Sequence, residues 1–252
     1  MSRARLKDKI AIVTGGGRGL GRAIALAFAD EGATVVVAGR VKDVLDDVVH
    51  VIEARGGAAS GLVADVTDEA SVNALVDGTV RVHGRLDVLV NNAGVIVRKP
   101  ALETTSAEWR QVIDVNVTGA WLGCVAAARH MVPAKSGKII NFGSTAGARG
   151  RAGMAAYCAA KAGVINLTRA LALEWADAGV YVNAISPGQF DTDMGAPVLA
   201  TQAQRDAVLA RVPLHRIGRP EEIGPLAVFL ASSDSDMVTG ETIFIDAGVT
   251  AA

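Results

Sequence analysis

Short apolar runs alternate with longer segments of helical periodicity along the whole chain. The runs are rich in β-branched residues and almost continuously apolar, as expected of strands that are buried on both faces of a parallel sheet. Strands are predicted at residues 10–13, 34–37, 61–63, 86–90, 138–142, 180–185 and 242–245. Helices are predicted between them, at residues 20–29, 44–54, 69–82, 108–130, 155–175 and 221–230. This alternation predicts an α/β fold, a Rossmann-type doubly wound parallel sheet of about seven strands with helices on both faces.

The alternation also predicts a single domain over residues 1–252. No linker, charge block or internal repeat interrupts it. The least regular stretch is residues 188–219, which carry Pro197 and Pro213. We expect this stretch to be an insertion that covers the substrate, and a plain surface connection with a short helix is the alternative.

Composition excludes several classes of protein. Half of the 252 residues are apolar and 20% are charged, which is the composition of a folded protein rather than a disordered one. The net charge of −1 leaves no basic surplus for nucleic acid. The longest stretch without a charged residue or histidine, residues 115–128, is too short to span a membrane. We expect a cytoplasmic protein, because no apolar signal-peptide region follows the basic N-terminus, and no metal site, because the two cysteines lack metal-ligand spacing.

A glycine-rich turn joins the first predicted strand to the first predicted helix. It reads TGGGRGLG from Thr14 to Gly21, a turn whose backbone can approach a pyrophosphate at a helix N-terminus. It is not a P-loop, because the lysine and hydroxyl that follow the last glycine of that motif are absent. A purely structural tight turn is the alternative. The candidate cofactor-binding residues of the turn are Gly15, Gly17, Arg18, Gly19, Leu20 and Gly21.

The end of the second strand indicates which dinucleotide binds. Proteins that prefer NAD carry an acid about 20 residues beyond the glycines, where it accepts the ribose 2′-hydroxyl. Residues 32–42 contain no acid, and the strand is followed by Arg40. A guanidinium pairs well with a 2′-phosphate, and Arg18 could flank the same group. We therefore expect NADP rather than NAD, although either arginine alone could be a solvated surface charge.

A helical segment carries the candidate acid/base chemistry. Tyr157 and Lys161 lie one turn apart on it, and a nearby ammonium should lower the pKa of a phenol towards neutrality. Ser144 follows the strand at 138–142, at the carboxyl edge where parallel-sheet sites form. A serine hydrolase is disfavoured, because GxSxG is absent and no histidine is placed by motif to serve Ser144. Asn116 stands in an apolar helical pattern, where its amide needs hydrogen-bond partners, structural or functional.

With these residues in order, the chain resembles the short-chain dehydrogenase/reductase family over essentially its full length. The resemblance rests on TGGGRGLG, Asp65-Val66, NNAG at residues 91–94, Asn116, Ser144, Tyr157 with Lys161, and PGQFDT at residues 187–192. It implies an enzyme in which Tyr157 exchanges a proton with the substrate oxygen, Ser144 holds that oxygen, Lys161 binds the nicotinamide ribose and Asn116 anchors a water. It also implies contacts to NADP from Asp65, Val66, Asn92, Ala93, Gly94, Pro187, Gly188 and Thr192.

Within the family, the chain looks most like the sugar-acid dehydrogenases such as the gluconate 5-dehydrogenase group. We therefore expect an NADP(H)-dependent oxidoreductase that interconverts a secondary alcohol and a ketone on a sugar acid or related polyol. Arg98, Arg149 and Arg151 follow strands at the carboxyl edge, where they would seat an anionic group of the substrate. A rim of solvent-facing charges is the alternative, and an acidic carrier protein would fit such a rim equally well.

Other functions remain open at this point. One is a 3-oxoacyl-[acyl-carrier-protein] reductase or a broad-range carbonyl reductase. Another is a dinucleotide-binding sensor without turnover, which would not need the set Asn116, Ser144, Tyr157 and Lys161. The resemblance further implies a homo-oligomer, most simply a tetramer, formed through residues 155–175 and 238–248.

Overall fold

A parallel seven-stranded sheet forms the centre of the molecule, for which the computed structural model describes residues 4–251. Its strands are β1 (Ile10–Thr14), β2 (Thr34–Gly39), β3 (Ala58–Val63), β4 (Val88–Asn91), β5 (Gly137–Phe142), β6 (Val180–Pro187) and β7 (Thr242–Ile245). They lie in the order β3-β2-β1-β4-β5-β6-β7, and each neighbouring pair is parallel. The predicted Rossmann-type fold is confirmed.

Helices connect the strands. They are α1 (Gly19–Asp30), α2 (Lys42–Ala54), α3 (Glu69–His83), α4 (Ser106–Ile113), α5 (Gly119–Ala134), α6 (Thr145–Ala148), α7 (Ala155–Trp175), α8 (Gln202–Leu209) and α9 (Gly224–Ala231). Each predicted helix is present, with ends that differ by up to a few residues. The predicted helix at 221–230 is divided between a 3-10 turn, Pro220–Ile223, and α9.

Alternate side chains of the strands pack on opposite faces of the sheet. In β1, Ala11 and Val13 belong to a buried cluster with α1, α2 and α9, whereas Ile12 belongs to a second cluster with α3, α5 and α7. Both faces are therefore covered, which is why the strands read as continuous apolar runs.

One long helical segment runs from Ser106 to Ala134 through α4, a π-helical turn (Asp114–Thr118) and α5. It begins at Ser106 because Thr105 and Glu108 form a reciprocal capping box. By length and composition it could cross a membrane, but 56% of its most apolar window is buried inside the protein. We interpret it as a core helix of the α/β fold.

The carboxyl ends of the central strands define the candidate site. The strand order reverses direction between β1 and β4, because the chain adds β2 and β3 on one side of β1 and β4 to β7 on the other. Ligands of open α/β sheets bind outside the strand ends at such a reversal. The loops after β1, β4, β5 and β6 meet there.

Residues 188–219 form a separate surface layer after β6. They contain a 3-10 turn (Ala196–Val198) and α8, and no residue of α8 is buried. Phe190, Leu199 and Val212 are the buried apolar side chains that attach the layer to the rest of the molecule.

Candidate active site

The glycine turn is shaped by positions that only glycine accommodates. Gly15 and Gly19 have φ values of +62° and +53°, in the left-handed region. A Cβ at Gly21 would lie 2.3 Å from the carbonyl oxygen of Gly15. The turn can therefore fold tightly onto the N-terminus of α1, whose first amide groups face the strand ends. We call the glycine turn, residues 14–21, with the first turn of α1 the cradle, and its backbone fits the pyrophosphate of a dinucleotide.

Asn92 holds the cradle in place from the neighbouring strand. Its side-chain Nδ2 donates to the carbonyl oxygens of Thr14, at 2.9 Å, and Gly15, at 3.1 Å. The Thr14 hydroxyl in turn accepts from the backbone amides of Asn92 and Ala93, at 3.1 and 3.2 Å. The structure thus gives the Asn92 amide a bracing role that the sequence did not indicate.

Arg40 and Arg18 occupy different surroundings. Arg40 is exposed at the end of β2, near Asp65. The pKa of Asp65 is lowered chiefly by hydrogen bonds from Thr67, and the charge of Arg40 adds to the effect. Arg18 instead lies 3.7 Å from the carboxylate of Asp193. Arg40 is thus next to Asp65 at the end of β2, whereas Arg18 is paired across the turn with the segment after β6.

Ser144, Tyr157 and Lys161 converge beyond the end of β5. The Ser144 Oγ accepts from the amide of Ala146, at 3.1 Å, where α6 begins. Tyr157 and Lys161 lie on the buried face of α7. The Lys161 Nζ donates to the Phe142 carbonyl oxygen at 2.8 Å and lies 5.6 Å from the centre of the Tyr157 ring.

Burial dominates the protonation of this group. It raises the pKa of Tyr157 above its ordinary value, while a hydrogen bond with Ser144 and the charge of Arg98 oppose the rise. Burial also lowers the pKa of Lys161 to about 8. The expectation of a phenol pKa lowered towards neutrality by Lys161 is therefore wrong for this form of the protein, because desolvation outweighs the favourable charges.

Asn116 lies in the π-helical turn with its side chain buried. Its Nδ2 donates to the carbonyl oxygens of Val95, at 2.9 Å, and Val112, at 2.8 Å. Its Oδ1 is buried and has no hydrogen-bond partner in the part of the chain that the structure describes. A Cβ at Gly94 would lie 2.7 Å from that oxygen and 3.7 Å from the Lys161 Nζ. The Gly94 backbone therefore passes close to both side chains, and a larger residue at this position would clash with the Asn116 oxygen.

The segment after β6 folds back over the glycine turn. A Cβ on Gly188 would lie 2.7 Å from the Cα of Asp246, so the backbone passes close to the C-terminal turn. The Thr192 side chain reaches within 3.5 Å of where a Cβ of Gly19 would lie. Thr192 is thus beside the glycine turn, and Gly188 lies against Asp246 at the end of β6. Val66 packs from the far side, against Gly119 of α5.

The three rim arginines differ in what they contact. The Arg98 Nη2 donates to the Met194 carbonyl oxygen at 3.0 Å, and the Arg151 Nη2 to the Thr145 hydroxyl at 3.5 Å. Both charges are near enough to Tyr157 to oppose the rise of its pKa. Arg149 instead donates to the carbonyl of Val249 in the C-terminal turn.

Two contributions were missed by the sequence reasoning. One is the pair Asp193 and Met194: the Asp193 carboxylate pairs with Arg18, and the Met194 carbonyl accepts a hydrogen bond from Arg98. The other is a buried network in which Asn91 donates to Asn141, at 2.9 Å, and Asn141 to Thr168, at 3.0 Å. It ties β4 and β5 to α7. The signal for the network was visible, since Asn141 interrupts the apolar run Ile139, Ile140 and Phe142 in the middle of the sheet.

Comparison with known proteins identifies the family. A family model described as enoyl-(acyl carrier protein) reductase matches residues 15–250. The chain belongs to the short-chain dehydrogenase/reductase family. It is 43% identical over 245 residues to a cis-4-hydroxycyclohexanecarboxylate dehydrogenase from Sinomonas cyclohexanicum, with 97% of each chain covered. It is 38% identical to a 3-oxoacyl-[acyl-carrier-protein] reductase from Thermotoga maritima, over 97% of this chain and 99% of the other.

Solved structures agree in both fold and cofactor. A gluconate 5-dehydrogenase from Burkholderia cenocepacia in complex with NADP and tartrate superposes with a TM-score of 0.96, at 35% identity, over 100% of this chain and 98% of the other. The predictions of an oxidoreductase of this family that acts on CH–OH groups, and of NADP as its cofactor, are confirmed by these relatives.

Proposed function

We propose that the protein is an NADP(H)-dependent oxidoreductase that interconverts a secondary alcohol and a ketone on a small anionic substrate, a sugar acid or related polyol. The observation that carries the anionic substrate is the position of Arg98, bonded to Met194, and of Arg151, bonded to Thr145 next to Ser144, since both charges are near enough to Tyr157 to oppose the rise of its pKa. A carboxylate on the substrate would lie beside them while its carbinol oxygen lies at Tyr157. The gluconate 5-dehydrogenase and the hydroxycyclohexanecarboxylate dehydrogenase, by their names, act on molecules of this kind.

The chain's own residues supply binding and proton transfer. The Tyr157 hydroxyl passes a proton to or from the substrate oxygen, which the Ser144 hydroxyl holds in place. Because burial keeps the phenol protonated, Tyr157 is a proton donor in the direction of ketone reduction. The cations at Arg98 and Arg151 lower the free energy of the phenolate that forms. The bound dinucleotide supplies the hydride transfer.

Asn116 and Lys161 connect this centre to solvent. The unpartnered Oδ1 of Asn116 fits a bound water, since buried polar atoms are almost always hydrogen-bonded. A water there would lie between Asn116 and the Lys161 Nζ. It would return a proton to the site after each turnover, and Lys161 would also hold the nicotinamide ribose.

Arg40 supports the choice of NADP. The end of β2 offers a guanidinium and no carboxylate to the adenosine ribose, so a 2′-phosphate gains a charge-assisted contact. The 2′-hydroxyl of NAD gains no acceptor there. In this proposal Asp65, Val66, Asn92, Ala93 and Gly94 also contact the bound dinucleotide.

The experiment that tests this function is an activity screen that follows the absorbance of reduced nicotinamide. The panel holds sugar acids, matched neutral polyols, 3-oxoacyl thioesters and simple ketones, each with NADP(H) and NAD(H). Sugar acids with NADP should give the highest kcat/KM. A preference for neutral ketones would contradict the anionic substrate.

A 3-oxoacyl-[acyl-carrier-protein] reductase is the second candidate. The Thermotoga maritima relative supports it, and the same cationic rim would suit an acidic carrier protein. This function predicts that carrier-linked 3-oxoacyl thioesters outperform sugar acids in the screen. A sensor would bind NADP and turn over nothing on the panel.

We also propose a soluble, cytoplasmic homotetramer formed through α7 and residues 238–248. Large apolar side chains on and beside these surfaces are exposed in the single chain, Leu173 by 83% and Met237 by 97%. Burial of such side chains would stabilise an assembly. Light scattering on the purified protein measures the mass directly, and a monomer would rule the assembly out.

A further inference from the structure

A cavity lies within the surface layer formed by residues 188–219. Its volume is about 310 Å³, at the lower end of the range of small-molecule sites. The side chains of α8 form one wall and residues 215–219 form the other. Ser144, Tyr157, Lys161 and the glycine turn are not among the lining residues, so this is a different site.

The lining is strongly cationic. Arg205, Arg216, Arg219 and His215 face the cavity, and Asp191 is the acidic side chain among the lining residues. Such convergence of guanidinium groups is the usual protein arrangement for a phosphate or carboxylate, because each fork can donate two parallel hydrogen bonds.

One acid outside the lining, Glu222, pairs with part of this cluster and leaves Arg205 unpaired within residues 4–251. Arg216 makes a two-pronged pair with Glu222, at 2.8 and 2.9 Å, and Arg219 lies 3.9 Å from the same carboxylate. One glutamate therefore serves two arginines. The Arg205 side chain makes no ion pair or hydrogen bond with any residue from 4 to 251. Its donors are left for an external anion.

The cavity wall is joined to the segment that borders the cradle. The Gly218 amide donates to the Gln189 carbonyl at 3.0 Å, and the Asp191 amide donates to the Gly218 carbonyl at 2.9 Å. A Cβ on Gly218 would lie 2.7 Å from the Phe190 ring, so the two strands of chain are in close contact. A ligand that fixes residues 215–219 would therefore fix residues 189–191 as well.

We propose that this cavity binds a phosphate group, either free or as a small monoester, and that its occupation orders residues 188–192 beside the cofactor cradle. Glu222 holds Arg216, so Arg205 and Arg219 supply the free guanidinium donors around this space, and two such groups suit a compact phosphate. The site is independent of which substrate the enzyme oxidises.

The binding test uses calorimetric titration of the cofactor-free protein at constant ionic strength. Inorganic phosphate and glucose 6-phosphate are the probes, and glucose is the uncharged control. Wild type should show saturable binding of both phosphates and none of glucose. Tighter binding of glucose 6-phosphate would identify a monoester as the occupant, tighter binding of inorganic phosphate would identify free phosphate, and binding of neither would overturn the proposal.

Matched variants locate the bound anion. Arg205→Ala should weaken phosphate binding by at least about 10-fold, the effect of one charge-assisted contact. Arg211→Ala makes the same change of charge on a neighbouring exposed residue that does not line the cavity, and it should bind like wild type. Arg40→Asp should also retain binding. Equal losses in Arg205→Ala and Arg211→Ala would overturn the site, and loss in Arg40→Asp alone would place the phosphate at the cofactor cradle instead.

Hydrogen exchange tests the link to the cradle. Phosphate should slow exchange of the Asp191 and Gly218 amides in wild type and leave them unchanged in Arg205→Ala. No slowing in wild type at saturating phosphate would overturn the proposed ordering. Neither readout requires turnover, so these results do not depend on whether the proposed oxidoreductase activity is found.

Discussion

The catalytic residues on α7 and the surface layer formed by residues 188–219 are held in place in opposite ways. Tyr157 and Lys161 are buried on α7, and Lys161 is hydrogen-bonded to the end of β5. The layer at residues 188–219 is attached by buried apolar side chains, Phe190, Leu199 and Val212, but its contacts with the arginines of the site are exposed ones, the Arg18–Asp193 ion pair and the Arg98 bond to the backbone. The chemistry is thus fixed by the core, whereas the arginines that we propose to select the substrate are held by surface contacts. Mutations in the two regions should separate turnover from specificity.

The largest effect is expected at Tyr157. Tyr157→Phe removes the proton donor and keeps the ring, so kcat should fall by at least about 100-fold while NADP affinity changes little. Steady-state kinetics and a fluorescence titration of NADPH measure the two quantities. Retention of most of the activity would contradict the proposed role of the phenol.

Cofactor preference can be changed without altering the catalytic residues, by reversing the charge at Arg40. Wild type should bind NADP about 10- to 100-fold more tightly than NAD, because one charge-assisted contact decides the difference. Arg40→Asp should reverse the order of the two affinities, and its kcat should change by a smaller factor than its NADP affinity. Titrations with both dinucleotides test this, and equal wild-type affinities would disprove the assignment of Arg40.

The buried Lys161 should lower the free energy of unfolding of the protein, although its ammonium is needed for turnover. Its pKa is lowered to about 8 by burial, against about 10.4 in an unfolded chain. Between these pH values the unfolded chain binds the proton and the folded one does not, so wild-type stability should rise with pH across that window. Lys161→Met should therefore be more stable than wild type near pH 7, by on the order of 2 kcal/mol after loss of the Phe142 hydrogen bond, and this advantage should shrink towards pH 10.

Denaturant unfolding of the cofactor-free protein measures this difference. Lys42→Met, on the exposed side of α2, is the control and should show no such gain. Turnover by Lys161→Met should be impaired at every pH. If Lys161→Met were less stable than wild type at pH 7, the hydrogen bonds of the buried ammonium would outweigh its loss of solvation, and this prediction would be wrong.

The smallest effect is expected in the surface layer. Asp193→Asn breaks an ion pair whose side chains are 78% and 77% exposed, and such pairs contribute about 0–1 kcal/mol. Stability should change by less than about 0.5 kcal/mol and KM by a few-fold at most. A large loss of kcat would mean that the layer takes part in the chemistry.

The sequence predicted the sheet, the glycine turn and the set Ser144, Tyr157 and Lys161, because strand and helix periodicities and family motifs are local signals. It did not predict the bracing role of Asn92 or the partner of Arg18, which depend on how separate loops meet. The direction of the Tyr157 pKa was also wrong. Burial of the phenol is a tertiary property, and the spacing of Tyr157 and Lys161 carries no information about it.

The central claim is an anionic substrate seated by Arg98 and Arg151 beside Tyr157. The most direct measurement is the ratio of kcat/KM for a gluconate-type acid to that for its matched neutral polyol, in wild type and in three arginine variants. Wild type should favour the acid by about 10- to 100-fold. Arg98→Ala and Arg151→Ala should reduce the ratio, whereas Arg149→Ala, whose guanidinium is bonded to Val249, should leave it unchanged. A wild-type preference for the neutral polyol, or a ratio that none of the variants alters, would contradict the account.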